Sequence, residues 1–338
     1  MRLTSAAILL LVVLTTCPAA SAEMGTAEPD SAELAALTPE ELFLRASSSA
    51  LQFEHMIEPS RRVLVRDHES SIPYLVTQLD TDDVRERNAL EDILVRIGSQ
   101  AVAPVIAAFL VEAERTDTTR GARLAATVLG RIGEPSAVPP LASAHKHPDW
   151  KVRGAIGGAL GRIGVAESVP PLVSLLEDGN EAVRKSAAVG LRHVATRAGD
   201  VDAPDTGAAE ALSSDVVASL ARALGDGNYA VRYSAADALA QIGEAALPSL
   251  LEISGSGRRE ARLMALRAVG AVGSRKTLKP LVRALDDPDW TVRAYAASAI
   301  GAIGPDGRSR RALKRLVAGD PHPFVVASAA AALDPENR

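Results

Sequence analysis

The chain has 338 residues, of which 47% are hydrophobic but only 3% aromatic, and its formal net charge is −5. This acidic balance argues against a dedicated nucleic-acid-binding protein, which normally carries a basic surface. The scarcity of aromatic side chains indicates a core built from Ala, Leu, Val and Ile. Cys17 is the only cysteine, which excludes a disulfide within the chain and any metal site built from several cysteines.

The N-terminus has the features of an export signal over residues 1–22. Arg2 supplies a positive charge, residues 6–14 are apolar, and an A-x-A cleavage site follows. The apolar run is too short for a stable membrane anchor. We therefore expect an exported bacterial protein, periplasmic or extracellular, that begins near Glu23. The alternative is a lipoprotein in which Cys17 carries a lipid, although the threonine before this cysteine fits the lipoprotein motif poorly.

Two segments precede the regular part of the chain. Residues 23–37 are rich in Glu, Ala and Ser and are predicted to be a flexible leader. Order is expected to begin at Thr38, which can form a capping box with Glu41, while Pro39 suits the first helical turn. The helices of 38–70 are predicted to form an N-terminal cap that shields the first repeat.

A repeated pattern then organises the chain, and its most regular copy reads VRGAIGGALGRIG. Successive copies, aligned without gaps, end 35, 31, 31, 48, 30 and 31 residues apart, from Gly98 to Gly304. A degenerate eighth copy covers Val325 to Leu333. A nearly constant period of this size is typical of repeat arrays.

Each copy predicts two helices. The first begins near a proline, at Pro73, Pro104, Pro140, Pro171, Pro248 and Pro280. The second ends at Ile-Gly or Val-Gly, where glycine can adopt a left-handed conformation. Six of the eight residues predicted to open the second helix suit an N-cap, and the eight are Asp83, Thr118, Asp149, Asn180, Asn228, Arg258, Asp289 and His322.

The Pro-Leu opening, the D-P-D-W or D-G-N turn and the V-R-x-x-A-A-x-A-L-x-x-I-G run resemble the short HEAT-type repeats named for the phycobilisome lyase (PBS lyase) family. The resemblance implies an all-α fold, a right-handed α-α superhelix (alpha solenoid) of about eight helical pairs over 71–338. The ankyrin and tetratricopeptide signatures do not occur. The resemblance specifies the fold but no particular function, because such repeats serve many proteins as binding surfaces.

An arginine recurs near the start of the second helices, at Arg87, Arg153, Arg184, Arg232, Arg262 and Arg293. Resemblance to HEAT-type repeats implies that these arginines form a structural ladder, pairing with turn acids and fixing how the repeats stack. A planar guanidinium suits this role because it can bridge a carboxylate and backbone carbonyls. An anion-binding ladder is the alternative. The turn acids are Asp178, Asp226, Asp287 and Asp320.

Residues that differ between copies are the better candidates for partner binding. The residue before Ile-Gly is basic in the early copies and neutral later, which predicts a positive strip that binds an acidic protein segment. The alternative is that these cations are solvated side chains, which the helix dipole attracts to the helix C-termini without any ligand. Three turn aromatics are either anchors for a partner or covers for neighbouring helix ends. The candidates are Arg96, Arg131, Arg162, His193, Trp150, Tyr229 and Trp290.

The period breaks at an acidic insertion over residues 199–214. Insertions in repeat arrays often lie on the binding face, whereas an inert loop is the alternative. The spacing of Asp200, Asp202 and Asp205 does not match an EF-hand calcium loop.

No catalytic constellation stands out. His145, His147 and Asp149 have no second ligand pair for a metal, and the His-Glu pairs of a HEAT-type hydroxylase are represented only by His68-Glu69. We therefore predict a non-catalytic exported scaffold that binds another protein, with no cofactor, no nucleic acid and no transmembrane segment. The alternative is a lyase-like or metal- or chromophore-handling accessory subunit. The oligomeric state stays open.

Overall fold

A computed structural model describes residues 34–200 and 206–334. These residues form helices and turns, without a β-strand among them. The predicted export signal, the alternative lipid site at Cys17 and most of the predicted leader lie outside the described residues. The described part begins with Leu34, which is only 2% exposed and packs in the core. The folded part thus starts before Thr38, because the apolar Leu34 is buried within the segment predicted to be flexible.

The helices follow one another along the chain, and they pack both against the next helix and against the corresponding helix of the adjacent pair. Short 3₁₀ turns at Leu51–Met56, Pro135–Ala137, Ala166–Ser168, Gly243–Ala246 and Arg275–Thr277 connect some of them. The α-helices of the described residues are α1 (Pro39–Ala46), α2 (Ile57–Arg66), α3 (His68–Thr77), α4 (Val84–Ile97), α5 (Ser99–Ala113), α6 (Arg120–Ile132), α7 (Val138–Ser143), α8 (Trp150–Ile163), α9 (Val169–Leu175), α10 (Glu181–Ala198), α11 (Ala208–Ala211), α12 (Ser214–Ala223), α13 (Tyr229–Ile242), α14 (Leu247–Ser256), α15 (Arg259–Val272), α16 (Leu278–Ala284), α17 (Trp290–Ile303), α18 (Gly307–Gly319) and α19 (Pro323–Leu333).

From α3 onward these helices form the repeat pairs of a right-handed α-α superhelix, which confirms the predicted fold class. The first helices of the pairs are α3, α5, α7, α9, α12, α14, α16 and α18, and the second helices follow each of them in sequence. The short helix α11 lies between the fourth and fifth pairs. Before the first pair, α1 packs on α2, and α2 packs on α4. The predicted capping box opens α1, since the amide of Thr38 donates to Glu41 at 3.0 Å and the amide of Glu41 donates to the Thr38 hydroxyl at 3.3 Å.

Side-chain caps open most second helices. Asp149 accepts the amide of Lys151 at 2.7 Å, and Asp83, Asn180, Asn228 and Asp289 cap their helices in the same way. Helix α6 begins one residue later than predicted, with Thr119 as its N-cap, which makes no side-chain cap bond. The Thr118 hydroxyl still accepts the amide of Arg120, at 3.3 Å. The Thr119 hydroxyl donates instead to Asp149 in the next turn, at 3.0 Å.

Glycine ends the second helices wherever the repeat supplies it. The six predicted glycines, Gly98, Gly133, Gly164, Gly243, Gly273 and Gly304, all have positive φ values, a conformation that costs glycine little. The fourth copy has Ala195 at this position, so α10 continues to Ala198 before the insertion begins.

Two of the prolines predicted for the first helical turn, Pro73 and Pro104, lie inside α3 and α5 instead. The turn before each of these prolines is α-helical, whereas a 3₁₀ turn precedes α7 and α9.

Small residues let successive second helices touch through their backbones. A Cβ atom added to Gly161 would lie 2.3 Å from the Cα of Gly190, and one added to Gly130 would lie 2.5 Å from the Cα of Ala159. The distance between packed helix axes depends on the size of the side chains at the contact, so these small residues bring the second helices close together. The first helices make fewer contacts with one another than the second helices do. The array therefore curves toward the second helices, which line its concave surface.

Candidate functional site

The recurrent arginines lie at the junctions between repeats. Arg153 donates through Nε and Nη2 to the carboxylate of Asp178 in the next turn, at 2.6 and 2.8 Å, and through Nη1 to the carbonyl of His147, at 2.8 Å. These bonds join one repeat to the next, so they are structural. Corresponding ion pairs are Arg184–Asp226, Arg262–Asp287 and Arg293–Asp320.

These pairs are mostly shielded from solvent. The Arg153 and Asp178 side chains are 18% and 8% exposed. Hydrogen bonds from Arg153 hold the pKa of the Asp178 carboxyl below its ordinary value of 3.8, and Arg293 lowers the pKa of Asp320 in the same way. The carboxylates remain ionised at neutral pH and occupy the guanidinium groups, which leaves these arginines unavailable to a ligand.

The predicted ladder does not extend through all six arginines. Arg232 donates to carbonyls of its own turn, but its buried Nε has no partner because the next turn has Ser256 where other repeats have an acid. Arg87 forms no ion pair within the described residues, since Asp117 in the following turn pairs with Arg115 instead, at 2.8 Å. The ladder therefore has gaps at Arg87 and Arg232.

The predicted positive strip is partly neutralised. Arg96 pairs with Glu58, and Arg131 pairs with Glu91, each at 2.9 Å. Glu58 lies on α2, which precedes the first pair and packs on α4, and Glu91 lies on α4, the second helix before α6. Arg162 is exposed and forms no ion pair with any described residue. The strip is thus most accessible to a partner at Arg162.

His193 lines the same cleft as Arg162 and Arg192 but adds no charge there. Its Nε2 lies 3.0 Å from the Nη2 of Arg192. Partial burial lowers the pKa of His193, and the neighbouring Arg192 and Arg162 lower it further. The imidazole is therefore held neutral between two cations at neutral pH.

Three adjoining open clefts of about 510, 450 and 570 Å³ follow the concave surface along α6, α8 and α10. The first two share Ala182 and Ser186, and the last two share Arg162 and His193, so they form one groove. The acids among its lining residues are Glu91, which is paired with Arg131, and Asp200. We define the concave basic groove by Arg123, Lys151, Arg162, Lys185, Arg192 and Arg197.

The three turn aromatics have different surroundings. Trp150 is 42% exposed and lines the concave basic groove. Trp290 stacks on His322 of the next turn, with ring centroids 3.6 Å apart. Tyr229 is 59% exposed and lies beside Tyr233, at 5.9 Å between ring centroids. The structure therefore brings only Trp150 together with Arg162 and His193 on one groove.

The sequence prediction missed Arg123 and Lys185. Both are exposed and form no ion pair within the described part of the chain. They occupy the position after the recurrent arginine, which holds other residue types in the remaining copies. A charge confined to the second and fourth copies was the available signal.

The described part of the insertion packs against the scaffold. The carbonyl of Thr206 accepts the amide of Ala166 at 3.1 Å, and Ala208 is only 2% exposed. Residues 201–205 lie outside the described residues.

The histidines considered for a metal bind backbone groups. His145 Nδ1 lies 2.6 Å from the carbonyl of Ala142, and His147 Nδ1 accepts the amide of Asp149 at 3.0 Å.

Within residues 34–200 and 206–334, no group of three or more His, Cys, Asp or Glu side chains is arranged to hold a metal ion. Among the helices of these same ranges, none combines the length and the apolar character required to cross a membrane.

Comparison with known proteins identifies the repeat type. The family profile described as HEAT repeats matches residues 106–192 and 247–334, and the PBS lyase HEAT-like repeat profile matches residues 231–255. No curated protein matches the chain.

Solved structures share the architecture. Yeast importin-β (Kap95p) is 13% identical, with a TM-score of 0.57 over 87% of this chain and 44% of that protein. Another importin-β structure is 16% identical, with a TM-score of 0.56 over 87% of this chain and 46% of that one. Human deoxyhypusine hydroxylase is 24% identical over 82% of this chain and 98% of that one, but its TM-score of 0.34 supports no inference. The chain spans less than half the length of the importin-β proteins, so these matches support the fold alone.

Proposed function

The chain belongs to the HEAT-repeat family, and from this premise we propose that it is a non-catalytic, exported scaffold that binds an acidic segment of another protein in its concave basic groove. HEAT-repeat solenoids are commonly scaffolds for protein interaction, whereas the choice of partner depends on the surface of each protein. Support for export comes from the sequence of residues 1–22. The 71–338 region acts in this proposal as one repeat domain.

The observation that carries the proposal is a set of cations that the scaffold leaves unpaired on its concave side. Arg123, Arg162 and Lys185 are exposed on three successive second helices and form no ion pair within the described part of the chain. This contrasts with the ladder arginine Arg153, whose charge Asp178 neutralises. Unpaired charges of one sign in a groove attract the opposite charge and favour a complementary partner.

The stacking of the helices also sets a spacing for the partner. Packed helices lie about 8–10 Å apart, and an extended peptide in the polyproline II conformation rises about 3.1 Å per residue, with three residues per turn. One step along the groove therefore corresponds to about three residues of an extended partner. Acidic side chains at every third position would lie on one face of such a peptide and could reach Arg123 and Lys185, which hold equivalent positions on α6 and α10. Trp150 offers an exposed aromatic anchor at the same groove.

Charge reversal in the groove tests the proposal. Arg123→Glu, Arg162→Glu and Lys185→Glu combined should weaken binding of a synthetic peptide with glutamate at every third position by about tenfold or more, because each attraction becomes a repulsion. Fluorescence anisotropy of a labelled peptide at low ionic strength measures the affinity. A peptide with the same number of glutamates at every second position should bind the wild type more weakly.

The matched control carries the same change in net charge on the opposite side of the array. Lys279→Glu, Arg310→Glu and Lys314→Glu combined should leave peptide affinity unchanged within a factor of about two, because these residues lie on first helices. Equal weakening by both triple variants would show that net charge alone governs binding, and the proposed groove would be wrong.

A further inference from the structure

The last two repeats carry a second basic surface on their first helices, away from the concave basic groove. Helix α18 has five exposed cations and no acidic residue, and α16 has two exposed cations. None of them forms an ion pair within the described ranges of the chain. We define the convex basic patch by Lys279, Arg283, Arg308, Arg310, Arg311 and Lys314.

The α18 cations point away from the core. Ser309, Ala312 and Leu313 are the buried residues of this helix. With 3.6 residues per turn, Arg311 and Lys314 project from the side opposite this buried stripe, and Arg310 projects from its flank. The patch is therefore fully available at the outer surface of the array.

This clustering costs stability. Arg310 and Lys314 are four residues apart on α18, as are Lys279 and Arg283 on α16, and like charges at this spacing repel each other. The other first helices do not share the pattern. Four of them, α3, α5, α12 and α14, contain an acidic residue, and α7 and α9 contain no charged residue. In a chain with a net charge of −5, the patch is a local concentration of charge that folding does not require.

We propose that the convex basic patch docks the scaffold on an anionic lipid surface. The six cations are spread over two neighbouring helices, α16 and α18, which contact each other, and none of them lines the concave basic groove. Long basic side chains spread over the outer side of a curved array match the charge of lipid headgroups, which extends over a surface, better than they match the charge of a single peptide. Each lysine or arginine near an anionic membrane contributes to attraction, without insertion of apolar residues.

Docking through α16 and α18 leaves the concave basic groove of α6, α8 and α10 free. The scaffold would then hold its protein partner while lying on the membrane. The docking inference rests on different residues from the proposed function, so either can fail without the other.

Co-sedimentation with phosphatidylglycerol vesicles tests the inference. The wild type should bind these vesicles at low ionic strength, release them at high ionic strength, and not bind pure phosphatidylcholine vesicles. Lys279→Glu, Arg310→Glu and Lys314→Glu combined should weaken vesicle binding by about 100-fold, because each cation contributes roughly fivefold. All proteins compared carry the same N-terminus, so any contribution from the export signal cancels.

The concave triple variant, Arg123→Glu, Arg162→Glu and Lys185→Glu, is the matched control and should bind vesicles as the wild type does. Thermal unfolding should show that the convex variant is about as stable as the wild type, because Lys279→Glu replaces a repulsion with Arg283 by an attraction, while Arg310→Glu and Lys314→Glu exchange one like-charge pair for another. Undiminished vesicle binding by the convex variant would overturn the inference. Binding of a polyglutamate peptide to the convex basic patch without any vesicle binding would assign the patch to a protein partner and would also overturn it.

Discussion

Gly161→Ala is expected to destabilise the protein by about 3 kcal/mol, as in other overpacked cores. The added methyl group would lie 2.3 Å from the Cα of Gly190, and two helix backbones must separate to admit it. Because α8 and α10 form the floor of the concave basic groove, their separation would also widen the groove. Urea unfolding followed by circular dichroism measures the loss in free energy of unfolding.

Gly154→Ala on the same helix is the matched control. A Cβ atom at Gly154 would meet nothing within 4 Å, and alanine favours a helix interior by about 0.5–1 kcal/mol over glycine. The two substitutions add the same methyl group to α8, so they should shift stability in opposite directions. Equal effects would contradict the backbone contact between the second helices.

Asp178→Ala is expected to cost about 3 kcal/mol or more at neutral pH, because it leaves the Arg153 guanidinium shielded from water without its carboxylate. It also removes the acceptor of the Asn180 amide, at 2.8 Å. Glu177→Ala is the matched control: its pair with Arg222 is exposed, at 70% and 64% of the two side chains, and should contribute less than about 1 kcal/mol. Chemical unfolding of both variants measures the difference.

The cost of Asp178→Ala should depend on pH. The pKa of Asp178 is lower in the folded protein than its ordinary value of 3.8, so ionised Asp178 stabilises the fold fully above that ordinary value. The stabilisation disappears as the pH falls through the folded pKa. The difference between wild type and variant should therefore shrink below a pH of about 4. A constant difference down to strong acid would show that the ion pair does not stabilise the junction.

Most of the fold could be predicted because its signals are local. Asp149 begins α8 and Gly164 ends it, each through the backbone geometry of its own turn. Failures occurred where the local signal is missing or ambiguous. Ala195 in place of glycine let α10 continue, and two adjacent threonines, Thr118 and Thr119, left the start of α6 ambiguous by one residue.

The candidate site was less predictable because its charges depend on residues from other repeats. Arg131 looked available in its own copy, but Glu91, 40 residues earlier, neutralises it. Arg162 looked equivalent and remains unpaired within the described residues. Arg232 depends on another repeat in the same way: its buried Nε has no carboxylate partner because the following repeat has Ser256 where other repeats have an acid. A column of equivalent residues predicts a shared surface, whereas the free charge on that surface depends on how the repeats pack.

The central claim, that the partner lies in the concave basic groove, can be tested by site-specific photo-crosslinking. Cys17 is the only cysteine, so a Cys17→Ser background allows one probe at Ala182→Cys, which lines the groove, or at Ser174→Cys, which is exposed on the first helix of the same repeat. With the glutamate peptide as ligand, we predict crosslinks from position 182 and none from position 174. Equal crosslinking from both positions, or crosslinking only from position 174, would contradict the account.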